Sequence, residues 1–480
     1  MKKQIPVVGF GIFPIRNLMD RRILLRNLLL GLPAGYIIPS VLSSCTKTDL
    51  LEMADFKGGV IVIGAGASGI YAAQLLKDQG IDVTVLEASS RVGGRILSDE
   101  SFAGIPLELG AEEIHGQRSL FYDLVNYQFP ERLLPEPGDN LYWLENQIRT
   151  EQFILENSDL QGAGQTLFQI NESFGSYPGG DMSVLLYLND FPVEERFMEI
   201  ANAIIANEYG TSLNRMGMFA LREAEAGYSS GLDGYFLREG TVWDVFSKAF
   251  SGAIDAVVLN QVVNRIDASG DQVSITTTNN QTYTADRVLV TVPITILQSG
   301  SIEVLPALPA DKLASIQNIS MGNGMKILLR FSAPFWKPET GSIIGGAVVP
   351  EYWVSTLGKA TTAHVLTAFV MGEKADALNV LSEQQVRDTI LAELQSMYPD
   401  EEVTGNCVGV LVKNWADEPF IKGAYSYPNP ESTGQREILA RPEHGKIFFA
   451  GEATNYNGHL ATVHGAMESG YRACKEILES

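Results

Sequence analysis

The sequence predicts an α/β fold that starts with a strand, a helix and a second strand between residues 60 and 86. Val60 to Ile63 is an unbroken apolar run, which is typical of a parallel strand buried on both faces. Ala67 to Gln79 has the pattern of a helix, and Gly80 follows as its C-terminal stop. Val83 to Leu86 is a second apolar run. Together these features predict the first unit of a Rossmann-like parallel sheet.

The turn between the first strand and the helix reads GxGxxG. Its first glycine permits a tight turn, its second lets the backbone approach a pyrophosphate, and its third allows close packing of helix on strand. The helix N-terminus would point unpaired N–H groups at the phosphates. An acid follows about 20 residues later, where it would bind a ribose hydroxyl. The predicted nucleotide-binding residues of this unit are Gly64, Gly66, Ala67, Ser68, Gly69, Glu87 and Ala88.

The composition indicates a large folded protein of two or three domains. The chain has 480 residues, of which 45% are hydrophobic, so it can bury large cores. Its net charge of −22 argues against nucleic acid as a partner and suits cationic small molecules, although it also fits an ordinary acidic surface. The three cysteines and five histidines show no metal-ligand spacing, so no metal site is predicted.

The first 45 residues have the features of an export signal. Arg21 and Arg22 precede an uncharged stretch, 27–46, that contains the run Leu42-Ser43-Ser44-Cys45. This pattern resembles a twin-arginine signal joined to a bacterial lipoprotein box, in which the cysteine is lipidated. We therefore expect export to the bacterial cell envelope or periplasm and a membrane anchor on Cys45. An uncleaved anchor and an ordinary signal peptide cut elsewhere are the alternatives.

The remainder of the chain alternates between two kinds of region. Residues 183–226 have mostly helical apolar spacing, whereas strands are predicted at 257–259, 262–266, 273–278, 288–292, 407–415 and 446–450. A helix is predicted from 240 to 250, and a closing helix from 462 to 478. We predict a nucleotide-binding domain assembled from 57–130, 232–300 and 416–480. An α+β substrate-binding domain with a mixed sheet would comprise 131–231 and 301–415.

The element RVGGR, Arg91 to Arg95, directly follows the ribose-binding acid. This element is typical of FAD enzymes related to glutathione reductase and the amine oxidases. With the other matching segments, the chain resembles the flavin-containing amine oxidases, a family that includes polyamine oxidases, monoamine oxidases, L-amino acid oxidases and lysine-specific histone demethylases. The resemblance covers nearly everything after residue 57. It is carried by residues 64–87, 91–95, 108–116, 262–263, 286–293, 326, 415–427 and 449–470.

The resemblance implies an FAD site. In the family pattern, Arg95 and the backbone of 110–112 approach the flavin, and Glu452 holds the ribityl–pyrophosphate part. Thr462 begins a helix whose N–H groups face the flavin, a role that is compatible with an ordinary N-cap. Besides the residues of the first unit, the implied FAD-binding residues are Arg95, Gly110, Ala111, Glu112, Val263, Gly451, Glu452, Thr462 and Val463.

The resemblance also implies the residues beside the substrate. Lys326 matches the family lysine that bonds a water near flavin N5, rather than a solvated strand-end lysine. Tyr425 matches one wall of an aromatic cage around the substrate amine. Trp415 and His115 match positions near the site, although each is also compatible with a structural role. Ala424 stands where covalent monoamine oxidases have a cysteine, so we expect non-covalent FAD.

We therefore expect an FAD-dependent oxidase of a primary or secondary amine, with O2 or another electron acceptor. Glu113 stands near the position where L-amino acid oxidases have an arginine for the substrate carboxylate. An acid there would attract an ammonium, unless it is simply solvated. The alternatives are an L-amino acid oxidase, an amine dehydrogenase with a different acceptor, and a non-catalytic flavin-binding protein.

Overall fold

The structure is a computed structural model that describes residues 56–170, 174, 177, 179–191, 193–231 and 233–480. The predicted export signal, with Arg21, Arg22 and Cys45, lies outside these residues. In the described ranges, no helix combines the length and apolarity needed to cross a membrane.

A parallel sheet forms the centre of the nucleotide-binding region. In the part of the chain that is described, its strands occur in the order 257–258, 83–86, 60–63, 287–290 and 447–449, and every neighbouring pair is parallel. Val60 to Ile63 lies at the centre and is buried throughout, as its apolar run predicts. The strands come from three distant parts of the chain. The complete sheet therefore forms only when residues near both ends of the described chain come together.

Two helices cover one face of this sheet. Ala67–Asp78 packs against the closing helix Val463–Glu479. They approach closely because Gly470 has no side chain: a Cβ there would lie 2.8 Å from the carbonyl oxygen of Ser68. This packing fixes the N-termini of both helices at the carboxyl edge of the sheet, where ligands bind in folds of this kind.

Smaller sheets flank the parallel one. The strands Thr282–Ala285, Val273–Thr277, Val263–Asp267 and Glu303–Leu305 form one of them, in that order. Another consists of Ile114–His115, Gly234–Leu237 and Leu133–Pro135, and Ser98–Asp99 pairs with Leu107–Glu108. Glu303–Leu305 pairs in parallel with Arg265–Asp267, across the predicted domain boundary at residue 300.

A mixed sheet forms the other side of the molecule, which confirms the predicted fold class. The strand Gly324–Phe331, second from one edge, is antiparallel to both neighbours, whereas Thr340–Ile344 is parallel to Asp139–Leu144. Over the described residues, the strand order is 407–414, 324–331, 364–371, 351–354, 340–344, 139–144 and 147–150. The helix Glu383–Met397 buries its apolar residues in the same core as these strands.

The remaining helices connect or cover these sheets. Their bounds are Leu120–Gln128, Glu151–Glu156, Gln161–Phe168, Val184–Asp190, Met198–Ala201, Met218–Gly227, Val242–Ala249, Ser251–Ile254, Ile294–Gln298, Ala310–Asn318, Gly372–Asn379, Val403–Asn406 and Gln435–Ala440. Asn202–Asn207 is a π-helix.

Two local predictions need correction. The strand Thr282–Ala285 was absent from the prediction, because its residues TYTA contain no continuous apolar run and two of them are exposed. The helical spacing around 200–205 is present, but the segment has the wider turn of a π-helix instead of an α-helix.

Candidate active site

A cavity of about 660 Å³ extends from the GxGxxG turn to the strand Gly324–Phe331 of the mixed sheet. The structure brings the predicted site residues together along its wall. Those that line it are Gly64, Gly66, Ala67, Ser68, Glu87, Ala88, Arg95, Gly110, Ala111, Glu112, His115, Val263, Lys326, Trp415, Tyr425, Gly451, Glu452, Thr462 and Val463. Gly69 lies behind the wall.

The three glycines of the turn occupy three different environments. Gly64 has φ +107°, a conformation that disfavours any side chain. A Cβ on Gly69 would lie 2.0 Å from the carbonyl oxygen of Gly64, so only glycine allows the helix to approach the strand this closely. A Cβ on Gly66 would meet no described atom within 4 Å and would occupy the space of the cavity. Gly66 therefore leaves room for a ligand at the helix N-terminus.

Glu87 is held rigidly at the end of the second strand. Its Oε2 accepts a hydrogen bond from Ala65 N at 2.8 Å, and its Oε1 accepts one from Ser89 N at 2.9 Å. The carboxylate is buried and lines the cavity. Its remaining lone pairs can accept hydrogen bonds from a ligand's hydroxyl groups.

Glu452 is the centre of a buried charge network on the opposite wall. Arg95 donates to it at 3.0 Å, and the Ser426 hydroxyl donates at 2.6 Å. Arg436, which is also buried, donates to the Ser426 oxygen at 2.7 Å. Burial alone would raise the pKa of Glu452, but the charges of Arg95 and Arg436 and the Ser426 hydrogen bond lower it below its ordinary value. The carboxylate therefore stays ionised in the cavity wall.

The closing helix begins at the cavity. Thr462 is its N-cap, because Thr462 Oγ1 accepts a hydrogen bond from Gly465 N at 2.9 Å. The preceding residue, Ala461, has φ +65° and donates its N–H to Glu452 at 3.1 Å. The N-terminal end of this 17-residue helix carries partial positive charge and favours negative charge in a bound group.

Lys326 is buried in the strand Gly324–Phe331 of the mixed sheet, with 4% of its surface exposed, so it is not a solvated lysine. Its ammonium donates to Glu112 Oε2 at 2.6 Å, to the Gly110 carbonyl at 2.9 Å and to the Glu108 carbonyl at 3.3 Å. It also lies 5.1 Å from the centre of the Trp353 ring. The lysine thereby fixes the loop that follows RVGGR against the mixed sheet.

Glu108 lies behind this loop. Its Oε1 accepts a hydrogen bond from Val242 N, at the start of the helix Val242–Ala249, at 2.7 Å. Its Oε2 is buried without a hydrogen-bond partner among the described residues. Burial raises the pKa of the Glu108 carboxyl to about 8, although the Val242 N–H and the Lys326 ammonium oppose the shift. Glu108 therefore holds a proton near neutral pH.

Tyr425 and Trp415 are held in fixed orientations. The Tyr425 hydroxyl donates to the carbonyl of Glu208 at 2.9 Å, and Glu208 is the residue that directly follows the π-helix. Gly210 lies against the ring, since a Cβ there would be 2.4 Å from Tyr425 Cε2. The indole N–H of Trp415 donates to the Leu109 carbonyl at 3.0 Å, so this tryptophan both lines the cavity and anchors its wall.

The cavity wall carries further acidic residues besides Glu87, Glu112 and Glu452. They are Glu113, Glu136, Glu208, Asp233, Glu351 and Glu418. Burial is the main cause that raises the pKa of Tyr425 above its ordinary range, and the negative charges of Glu113, Glu351 and Glu452 add to the shift. His115 Nδ1 lies 3.1 Å from Glu113 Oε1.

Several important residues were not predicted. Ser426 lies within a matched segment, but its bond to Glu452 joins two loops and has no local sequence signal. Glu108 begins the matched segment 108–116 but had no predicted role, and Arg436 stands in a polar stretch that gives no local signal. The role of the Glu112 side chain was also missed, because the resemblance concerns only its backbone.

These residues fit a bound FAD. The open space at Gly66, the carboxylate of Glu87 and the N-termini of two helices suit an adenine dinucleotide. Ala424 is buried, and its carbonyl accepts a hydrogen bond from Arg95 at 2.8 Å. Its methyl side chain cannot form a covalent bond to a flavin.

Comparison with known proteins agrees with this geometry. The family described as "Flavin containing amine oxidoreductase" matches residues 67–478. Lysine-specific histone demethylase 2 of Homo sapiens is 29% identical over 478 residues, which cover 92% of this chain and 56% of the human protein. This chain therefore spans little more than half of that relative. Polyamine oxidase 4 of Oryza sativa subsp. japonica is 27% identical over 92% of this chain and 91% of its own length.

Solved structures show the same fold. Cyclohexylamine oxidase from Brevibacterium oxydans superposes with a TM-score of 0.76 at 20% identity and covers 88% of this chain and 99% of its own. A putrescine oxidase bound to putrescine gives a TM-score of 0.75 at 22% identity, with 88% and 100% covered. The predicted fold class and the predicted FAD cofactor are confirmed, and the individual roles of the site residues stay predictions. The chain belongs to the flavin-containing amine oxidoreductase family.

Proposed function

We propose that this protein is an FAD-dependent oxidase of primary or secondary amines that carry a further positive charge, as diamines and polyamines do. The amine would be oxidised to an imine, which hydrolyses to an aldehyde, while O2 is reduced to H2O2. The observation that carries the proposal is a group of carboxylates that line the cavity: Glu113, Glu136, Glu208, Asp233 and Glu351.

The positions of these carboxylates support a cationic substrate. A Cβ on Gly234 would lie 3.0 Å from Glu113 Oε1 and 3.1 Å from Glu136 Oε2, so two carboxylates converge on this point of the wall. Converging negative charge raises the local concentration of cations and favours a substrate with more than one ammonium group. An L-amino acid would bring a carboxylate into the same field and would be repelled.

Three basic residues of the wall give the same preference, although the exposed Lys422 also lines the cavity. Arg95 is paired with Glu452, and Lys326 is paired with Glu112. The Arg91 guanidinium donates to the carbonyls of Val92, Gly94 and Ile96 in its own loop. These three cations already have partners within the protein, so they are poorly placed to bind a substrate carboxylate.

The chain's own residues would position the amine. When bound, FAD supplies the two-electron acceptor that takes a hydride from the carbon next to nitrogen. Tyr425, fixed by Glu208 and Gly210, would provide a rigid apolar wall against that carbon. His115 is the candidate that accepts the ammonium proton, because only the neutral amine can give up the hydride.

Peroxide release from a panel of substrates tests this proposal. The panel should contain diamines, polyamines, monoamines and L-amino acids, and flavin reduction should be followed in parallel. We expect peroxide with the amines, and most from those with two or more charges. Peroxide only from L-amino acids would favour the amino acid oxidase. Flavin reduction without peroxide would indicate a different acceptor, and no reduction by any compound would favour a non-catalytic flavoprotein.

We also propose that the protein is exported and lipid-anchored through Cys45. The support is the sequence pattern of Arg21-Arg22, the uncharged stretch 27–46 and the run ending at Cys45. Labelling with a fatty-acid analogue should mark the wild type and not Cys45→Ala. Replacing both arginines by lysine should block export, and unchanged export of that variant would contradict the twin-arginine assignment.

A further inference from the structure

A row of side chains leads from the cavity to the partly exposed Glu468 on the closing helix, and all but its first pair are joined by hydrogen bonds. His115 lies at the cavity wall, and its ring centre is 6.0 Å from that of His464. His464 Nε2 lies 3.0 Å from Ser230 Oγ, which lies 3.1 Å from His459 Nε2. His459 Nδ1 lies 2.8 Å and 2.9 Å from the two carboxylate oxygens of Glu468.

We propose that His115, His464, Ser230, His459 and Glu468 form a proton relay that carries the substrate's ammonium proton out of the cavity. The inference rests on the proposed amine oxidation, in which a substrate enters charged and reacts neutral. Its proton must leave a cavity whose wall consists mostly of buried and half-buried residues. The relay provides a path that does not depend on the opening through which the substrate enters.

Burial changes along the row as a relay requires. Ser230 is fully buried, and His464 and His459 are 1% and 5% exposed. The Glu468 side chain is 25% exposed, so the row ends at a carboxylate that exchanges protons with water. Between the two ends, each member is a histidine or a hydroxyl, which can both donate and accept a proton.

The tautomer of His459 sets the direction of transfer. The backbone N–H of Ser229 donates to His459 Nε2 at 3.2 Å, so this nitrogen is an acceptor in the neutral ring. The proton of the neutral ring is therefore on Nδ1, where it is donated to Glu468. A proton that arrives through Ser230 enters at Nε2, and the Nδ1 proton leaves to the carboxylate.

The proton balance is simple. The substrate ammonium loses one proton to His115 Nε2, because His115 Nδ1 is engaged by Glu113. The separation of the His115 and His464 rings is suited to one bridging water. A proton then passes from His464 through Ser230 to His459, and another leaves Glu468 for bulk water. No bond other than those to hydrogen changes, and no electron moves.

Other groups also face these rings. Glu113 contacts His115, and Tyr228 packs edge-on against His459 with ring centres 5.3 Å apart. Asn455 holds Glu468 from the other side, since its Nδ2 donates to Glu468 Oε2 at 3.0 Å. Asn455 Oδ1 also accepts a hydrogen bond from the backbone N–H of His459 at 3.1 Å. One neutral side-chain amide therefore positions both members of the His459–Glu468 pair.

Glu468→Gln tests the relay, because glutamine keeps a hydrogen-bond acceptor but cannot take up the proton. With a diamine as substrate, we expect kcat/KM to fall about 10- to 100-fold at pH 7. The loss in kcat/KM should shrink as the pH approaches the substrate's own pKa, which is about 10 for an alkyl ammonium. At such pH the substrate already enters the cavity as the neutral amine and needs no relay. Added imidazole, a mobile proton carrier, should restore part of the rate. His444→Gln, at an exposed histidine, is the matched control.

A wild-type rate for Glu468→Gln at all pH values would overturn the relay. A deficit that is independent of pH and insensitive to imidazole would assign the residue a purely structural role and would overturn it equally. A wild type that oxidises no amine would instead contradict the proposed function. The amount of FAD bound per protein molecule must be equal in the variants and the wild type that are compared.

A second measurement does not depend on any variant's activity. The chain contains five histidines, so 15N labelling of the rings gives a small set of signals, and His459→Gln identifies the one that is lost. We expect His459 to carry its proton on Nδ1 in the resting protein. A neutral His459 ring protonated on Nε2 would contradict the proposed direction of transfer.

Discussion

The ammonium nitrogen of Lys326 lies 2.6 Å from Oε2 of Glu112, and the two side chains are only 5% and 8% exposed. The pair joins the mixed sheet to the loop that lines the cavity. A buried charge without its partner is strongly destabilising, so each residue depends on the other. The hydrogen bond from Lys326 to the Glu108 carbonyl, at 3.3 Å, is the longest of the lysine's three described hydrogen bonds. It is the one whose proton a water molecule would most easily share.

We predict that Lys326→Met keeps FAD but slows the flavin half-reactions, reoxidation most. Loss of one positioned donor at a developing charge commonly costs about 100- to 1,000-fold in rate. The variant should also lose about 3–5 kcal/mol of stability, because Glu112 is left buried and unpaired. Stopped-flow traces of both half-reactions and thermal unfolding measure the two effects separately.

The double variant Lys326→Met/Glu112→Gln separates the lysine's two roles. Removing the second charge should recover much of the stability while the rates remain low. Lys337→Met, at an exposed lysine, is the control and should change neither. Wild-type rates for Lys326→Met in both half-reactions would remove Lys326 from the proposed site.

Gly66→Ala should weaken FAD binding without destabilising the apoprotein. The added Cβ meets no described protein atom, so its cost arises only when the cavity is filled. We expect at least about a tenfold loss of affinity, equivalent to 1.4 kcal/mol. Gly162→Ala, which also meets no described atom within 4 Å, should bind FAD normally. Equal FAD titrations for Gly66→Ala and wild type would contradict the assignment of the GxGxxG turn.

Acid precipitation should release the flavin into the supernatant. Ala424 offers no atom for a covalent link, and Arg95 and Glu452 contribute only non-covalent contacts to the wall. The absorbance spectrum of the supernatant checks this directly. Yellow colour that stays with the precipitated protein would show a covalent bond to another residue.

Glu108 should make the protein less stable as the pH rises. Its pKa is about 8 in the folded state, against about 4.3 for a free glutamate, so the folded state binds the proton more tightly. Its contribution to stability is complete below about pH 4.3 and is lost as the pH rises through 8. Glu108→Gln, which mimics the protonated form, should flatten this dependence.

Thermal unfolding at roughly pH 5 to 9, where Glu108 titrates, measures this pH dependence of stability. The difference in the free energy of unfolding between Glu108→Gln and wild type should grow with pH by about 1 kcal/mol or more. Each unit of pKa shift is worth about 1.36 kcal/mol. The exposed Glu100, changed to glutamine, is the control. A pH-independent difference would mean that Glu108 does not titrate in this range.

The nucleotide-binding unit could be predicted because its signals are local. Val60 to Glu87 contains the strands, the turn, the helix and the acid in one continuous segment, and each follows from its own residue pattern. The closing helix was predicted for the same reason. Its N-cap was placed correctly because Thr462 directly precedes the periodic segment.

The side-chain networks could not be predicted because their members are distant in sequence. Ser230 and His459 are 229 positions apart, and Lys326 and Glu112 are 214 apart. Only the packing of separate loops and strands brings such pairs together. The π-helix was missed because six residues of apolar spacing do not distinguish a turn of 3.6 residues from a wider one.

Anaerobic mixing of the oxidised protein with a straight-chain diamine, the monoamine of equal length and an L-amino acid tests the central claim most directly. We predict that the diamine bleaches the flavin fastest and at the lowest concentration. Its advantage over the monoamine should shrink in Glu136→Gln, in which one of the two converging carboxylates is neutral. Bleaching by the L-amino acid alone, or no bleaching by either amine, would contradict the proposal that this cavity oxidises amines.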